Sequence, residues 1–503
     1  MAIVSPHRIP VIVGVADVID RPAALAQARE PATLMVDALL GALQDAAGAA
    51  APALLTALDS LNIVAEHSWP YDEPSDVVSA RIGHMPKRCI YGTAGGESPV
   101  RFIHEAALRI AAGDSVVAAV VGAESQHSVA AASKQSIQLP WSPRGSNAGL
   151  LRGKDLCHPI AISHGMTQPA HVYPLYENAA TAAWGQTPGE AIRESAELWS
   201  AFSRVSAENP CAWLKQTYSA EQLATPTQDN RPVAWPYTKH LVANPFVNQG
   251  AAVVLTSLAK ARELGISEER CVFIHGGARA VEPRDYLQRD QYQRSYAQEA
   301  VLAAMLDAAG RFDAVELYSC FPIVPKMARR VLALPANARL TSIGGLSFFG
   351  APLNNYMTHA AAGLVRALRN QRNGRALLYG QGKFVTKHHA LLLSSSAPAN
   401  DLATSDGDVQ PQADRQRHPV PELIGDHNGP AAVETFTVVY GRGSDPEFGT
   451  VLARTAEGRR LMARVAPTDS SSLQVLTSLS TTPVGRVGQV TRGADHLLYW
   501  TVT

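Results

Sequence analysis

Apolar and polar positions alternate along the chain with two different periods. Ile9–Val15 (IPVIVGV) is an unbroken apolar run, the pattern of a strand buried on both faces. From Pro31 to Ala49 the apolar residues Leu34, Ala38, Leu39 and Leu43 recur at helical spacing, which predicts a helix. Leu61–Ala65 predicts a second short strand, Ser98–Ala112 a helix, and Ser115–Val121 another wholly apolar strand. This alternation predicts a layered α/β fold around a buried sheet. Residues 130–239 break the pattern: they are polar, rich in Pro and Trp, and hold helical pieces such as Ala191–Phe202, as expected of an insertion covering the sheet. The sheet pattern resumes at Gly250–Leu255, Cys271–Gly276 and Ala314–Tyr318. A helix at His359–Asn370 then precedes strands at Arg375–Tyr379 and Ala390–Ser394. The order fits two similar α/β halves, although no internal sequence repeat accompanies it.

Beyond Ser394 the material changes. Residues 395–430 carry Ser, Pro, Asp and Gln with almost no apolar spacing, the composition of a linker. From Glu434 onward, period-two segments (ETFTVVY, TVLARTA, GRRLMARVA, HLLYWTV) are split by Gly and Asp turns. They predict a small all-β module, a five-strand barrel of the oligonucleotide/oligosaccharide-binding (OB) shape. The expected organisation is a first half over 1–275 with an inserted domain at 130–240, a second half over 276–394, the linker, and the β module over 431–503.

Composition narrows the choices little. With 503 residues, two to four domains are expected, each able to bury a real core. Lys plus Arg equals Asp plus Glu at 44 each, so no global field recruits nucleic acid or an anionic membrane, and an anionic ligand must be met by local donors. The N-terminal apolar run is broken by Asp17 and lacks a signal-peptide cleavage pattern, and no stretch approaches the roughly 18 apolar residues of a membrane span. The five cysteines are scattered with no C-x-x-C pair, which speaks against a disulfide framework and a structural zinc site. A reducing cytoplasm is the expected location.

Three groups of motifs carry a family resemblance. They are GGESPVRFIHEAALRIAAGDSVVAAVVGAES (Gly95–Ser125), NRPVAWPYTKHLVANPFVNQGAAVVL (Asn230–Leu255), and ELYSCFP (Glu316–Pro322) with GGLSFFGAPLNNYMTHAAAG (Gly344–Gly363) and YGQGKFVTKHH (Tyr379–His389). Together they resemble thiolases, in particular the type 1 thiolase-like proteins often labelled acetyl-CoA acetyltransferases, and the tail beginning VETFTVVYGRG resembles the additional C-terminal module of that group. The resemblance covers nearly the whole chain. It implies two thiolase halves in an α-β-α-β-α layering, an inserted loop domain that grips coenzyme A, a CoA thioester as substrate with no covalently bound cofactor and no metal, and a homodimer as the assembly to expect.

The departures from the pattern bear on chemistry. By position in these motifs, the acylated cysteine of a thiolase falls on Gly96, the histidine of the "GHP" motif on Ala351, and the last motif reads Tyr379-Gly380-Gln381-Gly382 where thiolases keep an acid/base cysteine. A glycine cannot form an acyl-enzyme. The backbone N–H groups of Gly95 and Gly96 at a strand-to-helix turn can hold a thioester carbonyl or an oxyanion, or the glycines simply make the turn. Tyr318, at a strand end, can donate a proton to an enolate, or is a packed aromatic. Asn355 can donate into an oxyanion hole and His359 is a natural acid/base, unless that loop is only a helix entry. One of His388 and His389 is expected in the cleft; Cys320 is expected to be an inert core thiol. Lys239 and Arg231 are candidates for the CoA phosphates, and Gly380 and Gly382 for the CoA-facing turn.

Three functions follow from the resemblance. The first is an acyl-CoA-handling acyltransferase acting without a nucleophile. The second is a retro-aldol lyase on a 3-hydroxyacyl-CoA, with Tyr318 and Tyr379 as proton carriers and the tail module in the place of a barrel-bearing partner. The third is a non-catalytic acyl-CoA binder, for which the site should be filled by Phe348, Phe349 or Met357.

Overall fold

A computed structural model describes residues 4–146, 153–402 and 406–503. Its strands, in chain order, are β1 (Pro10–Ile19), β2 (Leu58–Ile63), β3 (Arg88–Tyr91), β4 (Val117–Ser125), β5 (Pro232–Ala234), β6 (Tyr237–Thr238), β7 (Asn248–Ser257), β8 (Val272–Val281), β9 (Ala314–Leu317), β10 (Arg375–Gly382), β11 (Lys387–Ser394), β12 (Gly429–Tyr440), β13 (Pro446–Arg454), β14 (Arg460–Val465), β15 (Val487–Arg492) and β16 (Leu498–Val502). Nine of them form one sheet in the order β3-β2-β4-β7-β1-β8-β11-β10-β9.

The two halves of this sheet meet at a narrow seam, where β1 and β8 share only the pairs Val11–Phe273 and Ile12–Val272. The sheet folds over there, and the helices Ser98–Ala112 and Tyr356–Arg369 lie between its halves, each touching strands of both. A helix in that position has no solvent face, so it must be apolar and small nearly all round. Tyr356–Arg369 accordingly buries Met357, Ala360, Ala361, Ala362, Leu364, Val365 and Leu368. Pro31–Ala47 covers the outside of β1, β4 and β7, and Tyr296–Ala309 covers β8 and β11. The result is the expected α-β-α-β-α layering. Residues 31–56, contrary to the expectation from the sequence, are long and apolar enough by length and composition to cross a membrane, with a mean hydropathy of 1.3. Their stripe Leu34, Met35, Ala38, Leu39, Ala42 and Leu43 is buried, which makes the Pro31–Ala47 part a core helix.

The inserted region contributes the helices Pro169–Ala183 and Pro188–Glu208 and the β5–β6 hairpin. The C-terminal strands close into a five-strand barrel: β12 pairs with β13, β13 with β14, β14 with β16 in parallel, β16 with β15, and β15 back with β12. The helix Ser470–Leu476 lies between β14 and β15. This is the OB connectivity that the period-two segments predict. The barrel is built into the body of the protein. Val439 of β12 pairs with Ala234 of β5, Asn178 Nδ2 donates to the Phe436 carbonyl at 2.8 Å, and the Thr435 hydroxyl donates to the Leu175 carbonyl. Arg460, with no exposed surface, donates to the Leu287 carbonyl at 2.9 Å and to the Glu434 carboxylate at 2.7 and 2.8 Å.

Part of the expected linker is docked. The Val409 N–H donates to the Arg279 carbonyl, Gln410 exchanges two hydrogen bonds with the backbone of Val281, and Arg417 pairs with Glu282. Charged and amide side chains attach this stretch to β8, which is why its lack of apolar periodicity resembles a free chain.

Candidate active site

Beside the amino end of the Ser98–Ala112 helix lies a cavity of about 360 Å³. Chain segments leaving the sheet at their strand ends form it: Tyr318 and Cys320 after β9, Gln381 at the end of β10 with Lys383 after it, and His67 after β2. Ligands of open α/β sheets sit at such carboxyl ends. Val242, Ala243 and Pro245, which follow β6, line the cavity and are held against the Tyr318–Cys320 stretch, where the Ala243 N–H donates to the Cys320 carbonyl at 3.2 Å.

Gly96 opens onto this cavity, and its missing side chain is a geometric requirement. A Cβ at position 96 would collide with the hydroxyl and ring of Tyr318 and lie 2.5 Å from the Gln381 carbonyl oxygen. The Tyr318 hydroxyl thus takes up the space that a nucleophilic side chain would need. That hydroxyl makes no hydrogen bond among the described residues. Burial, with Cys320 and Glu97 nearby, holds it well above the usual tyrosine range, so it stays protonated at neutral pH.

The neighbouring Gly95 N–H is already engaged: it donates to Asn354 Oδ1 at 2.8 Å, while Asn354 Nδ2 donates to the Ala65 carbonyl at 2.7 Å. Gly95 therefore lines the cavity without offering a free donor. The Gly96 N–H has no partner among the described residues. Glu97 makes no capping bond with its side chain. Its carboxylate instead lies against Gly95 and Gly382, where a Cβ would strike it, and within 3.5 Å of Lys387 Nζ.

Cys320 lines the cavity as a buried thiol. Burial pushes its thiol up to about 12, and Sγ contacts Gln381 Oε1 at 3.8 Å. Incubation with an acyl-CoA should leave no thioester adduct on Cys320 or Cys89 by intact-protein mass spectrometry, and iodoacetamide should leave turnover largely intact. An adduct on either thiol would show that this chain can form an acyl-enzyme.

Several residues singled out in the sequence lie elsewhere. Asn355 Nδ2 donates to the Gly122 carbonyl at 2.6 Å and its Oδ1 accepts from Thr358, which fastens the Tyr356–Arg369 helix to β4. His359 is buried against Asp17, Nδ1 to Oδ1 2.5 Å, in an ion-pair cluster completed by Arg366. Burial works to raise the Asp17 carboxyl, but His359 and Arg366 outweigh it and bring it below its ordinary value. His388 bonds the Tyr379 hydroxyl at 2.7 Å through Nδ1 and the Ser295 hydroxyl at 3.1 Å through Nε2, and burial draws it down to about 4. His389 bonds His104 at 3.0 Å in the middle layer. Neither member of that pair lines the cavity, nor does Tyr379, whose hydroxyl also accepts from Gln298 Nε2.

Gly380 and Gly382 are also absent from the lining. A Cβ on Gly380 would lie 3.0 Å from the Glu97 Cα, so these glycines let β10 run flush under the helix amino end. Lys239 is exposed and Arg231 half-buried; they are joined by a backbone bond of 2.9 Å and line no part of the cavity, although Lys239 precedes the Val242 wall by three residues. Phe348, Phe349 and Met357 are packed in the core, so they do not fill the cavity.

Two cavity residues escape sequence reasoning. His67 is kept neutral, down to about 4, by burial and by the charge of Lys383. Lys383 lies just past Gln381 in the left-handed region, at φ 59°. The signal for both is their position just past a strand's carboxyl end.

Residues 408–494 match a family model described as the thiolase-like protein type 1 additional C-terminal domain. No curated protein matches the chain. Among solved structures, the chain is similar to a monomeric SCP2-thiolase-like protein type 1 from Mycobacterium smegmatis, at 28% identity and a TM-score of 0.83 over 99% of each chain. It shares its fold with the Ltp2–ChsH2(DUF35) aldolase, at 16% identity and a TM-score of 0.59 over 78% of this chain and 98% of that one. The fold is shared likewise with human mitochondrial 3-ketoacyl-CoA thiolase in complex with CoA, at 16% identity and a TM-score of 0.54 over 79% of this chain and 100% of that one.

Proposed function

The chain belongs to the type 1 thiolase-like proteins of the thiolase superfamily, and from that premise we propose that its cavity binds an acyl-CoA thioester and acts on it without an acyl-enzyme. The observation that carries this reading is the hydroxyl of Tyr318, which lies beside Gly96 where a nucleophile would stand and lacks a partner of its own. In this reading the thioester carbonyl meets the Gly96 N–H, and Tyr318 supplies a proton to the charge that develops there. His67, held neutral by burial and Lys383 and therefore a weak base, is the imidazole in the lining able to take part in proton transfer. Arg231 and Lys239 flank the loop-domain wall and are the cations offered to the CoA phosphates.

Two reactions suit proton carriers without a nucleophile. One is direct, non-covalent acyl transfer to or from CoA. The other is cleavage of a 3-hydroxyacyl-CoA: a base takes the hydroxyl proton, the C2–C3 bond breaks, and the thioester enolate is protonated. The pairing of a donor (Tyr318) with a neutral acceptor (His67) in one cavity favours the second.

Binding is tested by melting. A ligand at about 100 times its dissociation constant adds roughly 2.7 kcal/mol to the folded state, so CoA and acyl-CoAs should raise the Tm. A Tm unmoved by millimolar CoA, acetyl-CoA and longer acyl-CoAs would remove the ligand assignment.

A further inference from the structure

Lys383 is the one lysine or arginine among the described residues that line the cavity, and no carboxylate lies within ion-pair distance of it. Glu97, one of the carboxylates that act on Lys383, is paired with Lys387 at 3.5 Å, and Lys387 also donates to the Ala94 carbonyl at 3.3 Å. Lys387 and Arg284 add positive charge around Lys383, and Glu97 and Asp155 offset part of it without forming an ion pair with it. The rest of the wall is largely apolar: Val242, Ala243, Pro245, Leu346, Ala351 and Leu353.

The backbone keeps Lys383 where it is at some cost. Lys383 and Val385 both lie in the left-handed region, at φ 59° and 56°, which is unfavourable for a side-chain-bearing residue and more so for a β-branched one. The turn is held by donors from outside it. The Tyr173 hydroxyl and Gln381 Nε2 donate to the Lys383 carbonyl, the Tyr176 hydroxyl to that of Phe384 at 2.8 Å, and Arg289 to that of Val385 at 2.8 Å. A strained turn that is over-determined in this way fixes one geometry. Burial, with Lys387 and Arg284 nearby, depresses the Lys383 ammonium from its ordinary value despite the opposing pull of Glu97 and Asp155. A charged group in an apolar cavity is stabilised most by an opposite charge brought by the ligand.

We propose that the cavity selects acyl-CoA thioesters whose acyl group carries a carboxylate, which Lys383 binds. This rests on the acyl-CoA reading above and adds the substrate class. Lys383 lines the cavity itself, whereas Lys239 and Arg231 lie outside its lining, so it is assigned to the acyl group and those two to the CoA phosphates.

Calorimetry with free CoA, hexanoyl-CoA and glutaryl-CoA tests it, the last two being acyl chains of similar length with and without the charge. The wild type should bind glutaryl-CoA about tenfold or more tighter than hexanoyl-CoA. Lys383→Met should erase that preference while leaving the affinity for free CoA unchanged, which also reports that the variant is folded. Lys383→Arg should restore part of the preference. Equal affinities in the wild type, or a Lys383→Met variant that weakens free CoA as much as glutaryl-CoA, would overturn the proposal alone. If free CoA and both thioesters all fail to bind, the acyl-CoA reading falls and takes this one with it.

Discussion

Tyr318→Phe should fold as the wild type does and lose about a hundredfold or more in turnover, the usual scale of general acid–base catalysis. The substitution keeps the ring and removes only the hydroxyl. Losing a typical hydrogen bond costs about 0.5–1.5 kcal/mol, and this hydroxyl makes none among the described residues, so the Tm should scarcely move. CoA affinity should also stay the same, because the ring still fills the space beside Gly96. Acetyl transfer and 3-hydroxyacyl-CoA cleavage must both be assayed, and the reaction that falls identifies the chemistry. An unchanged rate on the reaction that turns over would take Tyr318 out of the site and leave His67 as the remaining proton carrier.

The largest effect on stability is expected at Arg460. Its buried guanidinium satisfies the Glu434 carboxylate and the Leu287 and Arg289 carbonyls, and stands over the Tyr292 ring at 5.0 Å. Arg460→Met keeps the bulk, takes this donor from the Leu287 and Arg289 carbonyls, and leaves Glu434 with Arg454 alone. Breaking a buried pair by removing one partner costs about 3–5 kcal/mol, so urea unfolding should show a loss of that order. A loss below about 1 kcal/mol would mean that the guanidinium does not hold the barrel to the body. Glu434→Gln, which keeps a neutral acceptor, should cost less.

The layered fold is legible in the sequence because a strand buried on both faces must be apolar at every position, as at Ile9–Val15 and Gly250–Leu255. The barrel is legible because its residue types keep a period of two, even though both faces of much of β12, β13 and β14 are buried where the barrel meets the body. The cavity is legible only in part. Gly96 and Tyr318 come from motifs that fix a position along the chain, and both reach the cavity. Which way a side chain points is decided by local backbone geometry. Asn354 and Asn355 are adjacent, yet in the short helical turn Leu353–Asn355 one faces the cavity and the other faces β4. His388 and His389 alternate across β11, one toward Ser295 and the other toward His104, so the strand carries both away from the cleft. His359 is claimed by Asp17, some 340 residues earlier in the chain, a partner that no local pattern reveals. Lys383 depends on a left-handed turn at a residue other than glycine, a conformation that sequence propensity argues against.

The pairing of Val439 with Ala234 also sets an order of assembly during synthesis. Chains emerge from the ribosome amino end first, and domains generally fold as they appear. The two layered halves have all nine strands of their sheet once residue 394 has emerged. The hairpin that leads into Val242 and Ala243 must still wait for a strand that begins at Gly429. The hairpin's outer edge is thus among the last parts of the molecule to be secured, whereas Val242 and Ala243 already find their partners in Ser347 and Cys320 before the barrel has been made.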